Sequence, residues 1–247
     1  METVVEIKNV SKYYQNRSGL ILKQKIQALE DLSLTIEKGT IFGLLGPNGA
    51  GKSTTLNLLC GLLRPSNGEI SLFNRKLEPF DKNILQRIGY LPEENILPDY
   101  VSLKQLLNFL AHIFQLTPKQ ENKRLEWLVE QFQLRELLSK RIRFLSSGQK
   151  RICGIACALL NQPELLILDE PTVYLDPLAV KRLSALLTDL KSKGATVIIS
   201  SHILSQIEKL CDRVAILHKG RLKFVGDSRP LLEKHSLDEI FLEFVKE

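Results

Sequence analysis

The sequence predicts an α/β fold whose series of strands is interrupted by an all-helical insert. Three observations carry this. Thr40-Ile41-Phe42-Gly43-Leu44-Leu45 is a short apolar run of the kind a buried strand makes, and it leads through a glycine-rich turn into a segment bearing Leu56, Leu58, Leu59, Leu62 and Leu63, which suits a helix packed on a sheet. A second apolar run, Leu165-Leu166-Ile167-Leu168, ends in two acids, Asp169-Glu170. Between the two runs, from about 101 to 160, the pattern changes to helical periodicity, and strands resume after it.

Taken in order, Val4 to Val10 reads as an early strand that leads into Ser11-Lys12-Tyr13-Tyr14. Gln15 to Lys25 is polar and basic and reads as an exposed loop. Leu32-Ser33-Leu34-Thr35-Ile36 alternates strictly, which marks a strand, and Glu37-Lys38-Gly39 turns into the next one. Pro65-Ser66-Asn67-Gly68 is a turn, followed by strands at Glu69 to Phe73 and Ile88 to Leu91. In the insert, Leu103, Leu106, Leu107, Leu110 and Phe114 share one helical face, and Leu125, Leu128, Val129 and Phe132 share another. After it come the strand at Leu165, a helix from Leu178 to Lys191, a strand from Thr196 to Ser200, strands near Val214 and Leu222, and a short helical tail. Residues 1–247 are expected to form one domain, with the helical block at about 101–160 as an inserted subdomain.

Composition narrows the class. The 247 residues are 44% hydrophobic and 25% charged, which is a globular balance with ample core. The net charge of +6, from 34 basic and 28 acidic residues, is mild and dispersed, so no nucleic-acid partner is expected. The longest uncharged stretches, Gln105 to Pro118 and Gly194 to Ile207, fall short of the about 18–20 residues that a spanning helix needs, and Met1 to Glu6 carries no signal-peptide pattern. A soluble chain is expected. Cys60, Cys153, Cys157 and Cys211 form no C-x-x-C pair and sit in apolar surroundings, which predicts buried free thiols.

The glycine-rich turn is Gly46-Pro47-Asn48-Gly49-Ala50-Gly51-Lys52-Ser53-Thr54, which fits G-x-x-x-x-G-K-[ST]. Its glycines let the backbone turn tightly and aim N–H groups at an anion, and the helix start adds a positive dipole end. In this motif the lysine, here Lys52, reaches the β- and γ-phosphates of a nucleotide, and the Ser53 hydroxyl ligates Mg²⁺. A strand that ends in Asp169-Glu170 delivers carboxylates at the sheet edge where open α/β sheets bind ligands. With a phosphate loop in the chain, Asp169 is assigned to Mg²⁺ and Glu170 to orienting and deprotonating an attacking water.

Further along, Leu145-Ser146-Ser147-Gly148-Gln149, Leu175-Asp176-Pro177 and His202 join Gly46–Thr54 and Leu165–Glu170 in the order of an ATP-binding-cassette ATPase. The whole chain resembles one nucleotide-binding subunit of an ABC transporter. The resemblance implies a P-loop NTPase core with an inserted helical subdomain and an antiparallel β portion. It also implies ATP and Mg²⁺ as ligands, a second ATP-binding subunit in a homo- or heterodimer, and a separate transmembrane permease subunit through which this cytoplasmic chain sits peripherally on the cytoplasmic face of the membrane. Ser146, Ser147, Gly148 and Gln149 correspond to the family's signature, which closes on the ATP held by the second subunit. Ser147 stands where a glycine is usual. Asp176 crosses the dimer in the family, and Tyr174 replaces a small residue near it. His202 resembles the switch histidine, and Tyr14 resembles the aromatic that stacks on adenine, with Tyr13 as the one-residue-off alternative.

Glu93, in Tyr90-Leu91-Pro92-Glu93, stands where the family commonly has a glutamine that offers an oxygen to Mg²⁺ or water; a glutamate resembles the ABC-2-type or drug-exporter branch. The implied function is MgATP hydrolysis that drives transport, with export the expected direction. Two other classes share these motifs: ABC ATPases that act on ribosomes or DNA, and non-hydrolysing regulators. The spacing from Gly46 to Leu145 leaves no room for the long coiled coil of the first, and the presence of Lys52, Asp169 and Glu170 argues against the second.

One helix carries more apolar surface than a single core contact needs. From Leu103 to Gln115, apolar side chains fill an arc of roughly 200°, against about 100° or somewhat more for a helix facing one core. Two explanations stand: the small subdomain packs this helix on two sides, or Phe109 and Ile113, with Ile96, Leu97 and Tyr100, receive a cytoplasmic helix of the membrane subunit.

Overall fold

The computed structural model describes residues 2–18, 22–78, 81–201 and 204–228. His202 and the expected helical tail lie outside these residues. Two sheets organise the chain. The larger has six strands in the order β10 (Arg221–Asp227), β9 (Arg213–His218), β3 (Ile41–Leu45), β8 (Thr196–Ser201), β7 (Leu165–Asp169) and β6 (Ile88–Leu91). Its strands run parallel except for β10, which pairs antiparallel with β9. β3, β7 and β8 are buried along their whole length, which is why β3 and Leu165 to Leu168 of β7 read as continuous apolar runs rather than alternating ones.

The second sheet is antiparallel, in the order β2 (Leu22–Glu37), β1 (Thr3–Ser18), β4 (Asn67–Leu72) and β5 (Arg75–Lys76). Here the sequence expectation is corrected. Gln15 to Lys25 is not a loop throughout: β1 continues to Ser18, β2 begins at Leu22, and Gln15 pairs with Lys25. Backbone ladder bonds do not depend on side-chain polarity, so a polar and basic hairpin end escapes a reading based on apolar alternation. The turn at Pro65–Gly68 is also shorter than expected, because β4 begins at Asn67.

The helices divide the interior in two. α1 (Lys52–Leu59) follows β3 and is buried between the sheets, where Leu56, Leu58 and Leu59 meet Val5, Leu32 and Phe42. After the short α2 (Lys82–Leu85), the helical block comprises α3 (Leu103–Ile113), α4 (Pro118–Phe132) and α5 (Ser147–Leu159), and it falls between β6 and β7. α6 (Pro177–Ser192) and α7 (Leu204–Leu210) complete the second core on the other face of the large sheet, with Leu107, Leu128, Ile155, Leu187 and Ile207.

α3, α4 and α5 start alike. Ser102, Thr117 and Ser146 each accept from the N3 backbone, and the N3 glutamines Gln105, Gln120 and Gln149 return the bond. The wide apolar arc of α3 is not explained by packing on two sides, because Phe109 is 62% exposed and Ile113 52%. Leu97 differs from its neighbours. It is half-buried against the helical core, whereas Ile96 and Tyr100 are exposed.

Candidate functional site

The phosphate loop lies between β3 and α1, and its backbone is crowded from behind. A Cβ on Gly46 would meet the Leu217 carbonyl oxygen at 2.4 Å, and one on Gly51 would meet the Leu29 side chain at 2.6 Å. Gly51 also has a φ of 106°, which a side chain disfavours, so glycine is required there. Gly51 is the N-cap of α1 and no side chain caps the helix, so its first N–H groups are left to an anion. Lys52 is buried, and its Nζ donates to the carbonyls of Gly46 at 2.7 Å and Pro47 at 3.3 Å. The cation is therefore folded over the loop it belongs to.

Strand order brings the acids to this loop. β8 separates β3 from β7, so Asp169 and Glu170 at the end of β7 stand two strands from the phosphate loop, at the same edge of the sheet. Ser200, near the end of β8, links them. Its Oγ donates to Asp169 Oδ1 and accepts from Glu170 N at 2.9 Å. Asp169, Glu170 and Ser200 are all buried. Glu170 has a φ of 49°, in the left-handed region, and is held there by this bond and by its N–H donating to the Ser200 carbonyl at 3.2 Å.

A cleft of about 390 Å³ gathers Pro47, Asn48, Gly49, Ala50, Gly51, Lys52, Ser53 and Thr54 with Glu93, Asp169, Glu170 and Tyr14. That volume suits a small-molecule ligand. The cleft separates the two tyrosines. Tyr14 lines it, and its OH lies 3.4 Å from Thr54 Oγ1. Tyr13, on the opposite face of β1, has its ring covered by Lys25, whose Nζ is 3.7 Å from the centroid. The cleft wall also includes Ile26, Gln27 and Ala28 of β2, which carry no motif.

Ser146, Ser147, Gly148 and Gln149 do not line this cleft. They form the start of α5, where Ser146 Oγ accepts from Gln149 N at 3.2 Å and Gln149 Oε1 accepts from Ser146 N at 3.0 Å. Ser146 and Ser147 are exposed. A Cβ on Gly148 would meet the Tyr174 carbonyl at 2.7 Å, so this turn packs against the segment leading to Asp176. Asp176 caps α6, its Oδ1 accepting from Ala179 N at 2.8 Å, and Tyr174 is 71% exposed.

Two further contributors, behind the cleft wall, carried no motif. Ser200 is one. Arg151 on α5 is the other: it is buried, yet spans two loops, with Nη1 donating to the carbonyls of Pro92 at 2.7 Å and Glu93 at 3.0 Å, and Nη2 to those of Asp169 and Glu170. Its sequence signal was a cation beside the apolar run Ile152 to Ala158. The cysteines are free, and burial pushes the thiols of Cys153 and Cys157 up to about 12, as suits inert side chains.

The donor set fits Mg²⁺. Among the described residues no three Asp, Glu, His or Cys side chains converge to hold a metal alone. Mg²⁺ is usually held by one or two protein carboxylates, with substrate phosphates and water filling the shell. Here the oxygen donors lining one cleft include the Ser53 hydroxyl and the carboxylates of Asp169, Glu93 and Glu170.

Comparison with known proteins agrees with this geometry. A family model described as ABC transporter matches residues 29–173. An uncharacterized ABC transporter ATP-binding protein of Nostoc sp. is 40% identical over 232 residues, 93% of this chain and 68% of that protein. The bacitracin transport ATP-binding protein BcrA of Bacillus licheniformis is 37% identical over 223 residues, 90% of this chain and 69% of that protein. A dimeric ATP-binding cassette solved in a post-hydrolysis state with ADP and Pi superimposes with a TM-score of 0.81 at 27% identity, covering 91% of this chain and 99% of that one. A P-loop α/β core with an antiparallel sheet and these relatives lead to one conclusion: the chain belongs to the ABC transporter family, as an ATP-binding subunit.

Proposed function

We propose that this chain hydrolyses MgATP and that hydrolysis drives export through a separate membrane subunit. The observation that carries the reading is the convergence in one cleft of Lys52 and Ser53 from the phosphate loop with Glu93, Asp169 and Glu170 from two other segments. Lys52 swings from the Gly46 and Pro47 carbonyls to the β- and γ-phosphates, exchanging two neutral acceptors for charged ones. Ser53 and Asp169 hold Mg²⁺, with Glu93 offering a further oxygen; the ion supplies charge neutralisation on the phosphates. Glu170 orients the attacking water and accepts its proton, with His202 supporting it, and water attacks the γ-phosphoryl in line. Tyr14 stacks on the base, a contact of about 1–3 kcal/mol that tolerates base identity.

A second subunit completes the site. Ser146 to Gln149 and Asp176 lie outside this chain's own cleft, which fits their acting on the nucleotide of a partner copy or a paralogue, as in the dimeric cassette. Export is supported by Glu93 and by the name of the bacitracin transport relative. The exposed Ile96, Tyr100, Phe109 and Ile113 are the surface proposed to receive the membrane subunit, which holds the assembly at the cytoplasmic face of the membrane. Among the described residues no helix is long and apolar enough to cross a membrane.

The test is Glu170→Gln. The amide keeps the shape but cannot take a proton from water, so MgATP binding should persist while turnover nearly vanishes and two subunits remain associated. Wild-type turnover in this variant would remove Glu170 from its role, and a monomer in light scattering with MgATP would count against the shared-site dimer.

A further inference from the structure

Among the described buried cations, Lys52, Arg124 and Arg151 all donate to backbone carbonyls, and Arg151 is the one that bridges two segments carrying cleft carboxylates. Its guanidinium is spent on backbone carbonyls. One nitrogen holds Pro92 and Glu93, in the loop after β6, and the other holds Asp169 and Glu170, at the end of β7. Only a planar fork with several donors satisfies four acceptors on two segments at once. Arg151 itself is fixed to α5, five residues from the Ser146 cap.

A second link reinforces the first. Asn95 Nδ2 donates to the Lys150 carbonyl at 2.5 Å, and the absence of a side chain on Gly154 makes room for Asn95, whose Oδ1 would lie 2.4 Å from a Cβ there. Lys150 Nζ reaches Asp99 at 3.5 Å. The loop from Glu93 to Asp99 is thus tied to α5 at Glu93, Asn95 and Asp99.

We propose that Arg151 is a positioning residue that holds the Glu93 loop and the Glu170 turn in fixed relation to α5, so that displacement of α5 moves the Glu93 and Glu170 carboxylates together. The inference rests on the hydrolytic reading above. It adds the physical route by which contact at the exposed start of α5 reaches the chemistry of this chain's own cleft. The route is short and made of polar contacts to backbone. A loop held by its carbonyls keeps its side chains free for substrate while its path is set by the helix. The positive charge also lies near Asp169, Glu170 and Glu93, which offsets three acids facing one cleft.

The experiment compares Arg151→Lys, Arg151→Met and Asn95→Ala in the full chain. MgATP affinity is read by calorimetry, turnover in steady state, and amide hydrogen exchange over 92–97 and 170–174. Lysine keeps the charge but not the fork, so Arg151→Lys is expected to bind MgATP within about twofold of wild type and to lose about tenfold or more in kcat. Its 92–97 amides exchange faster while those of β7 keep their protection. Arg151→Met loses more than the lysine variant. Asn95→Ala removes the second link without emptying a buried charge site, and is expected to lose about threefold in kcat with affinity unchanged. Affinity and kcat falling in proportion with melting temperature would show a merely structural role and overturn the proposal, as would kcat and loop exchange that do not change. If both arginine variants fail to fold, Asn95→Ala decides by the same criteria. If the wild-type protein binds MgATP and does not turn it over, the hydrolytic reading fails separately, and exchange over 92–97 alone decides: faster in the variants supports the tie, unchanged overturns it.

Discussion

The Ser200 hydroxyl donates to the Asp169 carboxylate across two neighbouring parallel strands, and both side chains are buried. The same oxygen accepts the Glu170 N–H at 2.9 Å. One hydroxyl therefore orients the acid assigned to Mg²⁺ and holds the left-handed backbone of the acid assigned to water.

Ser200→Ala is expected to cost about 1–3 kcal/mol of stability, because it leaves a buried carboxylate oxygen short of a donor. Chemical denaturation checks this. A cost near zero would mean that water replaces the hydroxyl.

Lys52→Ala removes a buried ammonium whose described partners are only the Gly46 and Pro47 carbonyls. Loss of the charge-assisted phosphate contact is expected to weaken ATP binding by roughly 1.5–3 kcal/mol. Unchanged binding in calorimetry would sink the phosphate-loop assignment.

Glu93→Gln is expected to keep hydrolysis within about tenfold, roughly 1.4 kcal/mol in barrier. Arg151 holds residue 93 by its backbone carbonyl, so the loop stays in place, and the amide still presents an oxygen. Complete loss of turnover would show that the carboxylate charge itself is essential.

Ile96→Asp and Phe109→Asp alter side chains that are 84% and 62% exposed, so folding and ATP binding should survive while co-purification with the membrane subunit falls. Leu97→Asp behaves differently, because Leu97 packs on the helical core, and is expected to destabilise by about 1–3 kcal/mol. Full co-purification of both surface variants would place the docking surface elsewhere.

Arg87 and Glu164 join the starts of β6 and β7 through a bidentate pair at 2.6 and 2.8 Å, and the hydrogen bond from Arg87 holds the Glu164 carboxyl below its usual value. A depressed carboxylate stabilises the fold above its unfolded pKa of 4.5, and that stability is lost as pH falls through the lower folded value. The side chains are 37% and 49% exposed, so Glu164→Gln is expected to cost at most about 1 kcal/mol at pH 7. The difference from wild type should shrink as the pH drops below 4.5. A gap that persists at low pH would mean the pair is not its cause.

The sequence by itself determined whatever is written in contiguous residues. Gly46 to Thr54 specifies a phosphate loop because nine successive residues set both its backbone and its donors, and Leu165 to Glu170 specifies a buried strand that ends in acids for the same reason. The inserted helices were legible from their period, whereas the Ser102 and Thr117 caps were read only in the structure, although they are local bonds. Only the tertiary structure decided what depends on distance through space. It put Tyr14 and not Tyr13 in the wall of the cleft, because neighbouring residues of a strand face opposite sides. It extended the hairpin through Gln15 to Ser18, because ladder pairing is made between backbones. It left Phe109 in the open, and it joined Arg151 to Glu93 and Glu170, residues 58 and 19 positions away whose carbonyl groups have no signature in a sequence.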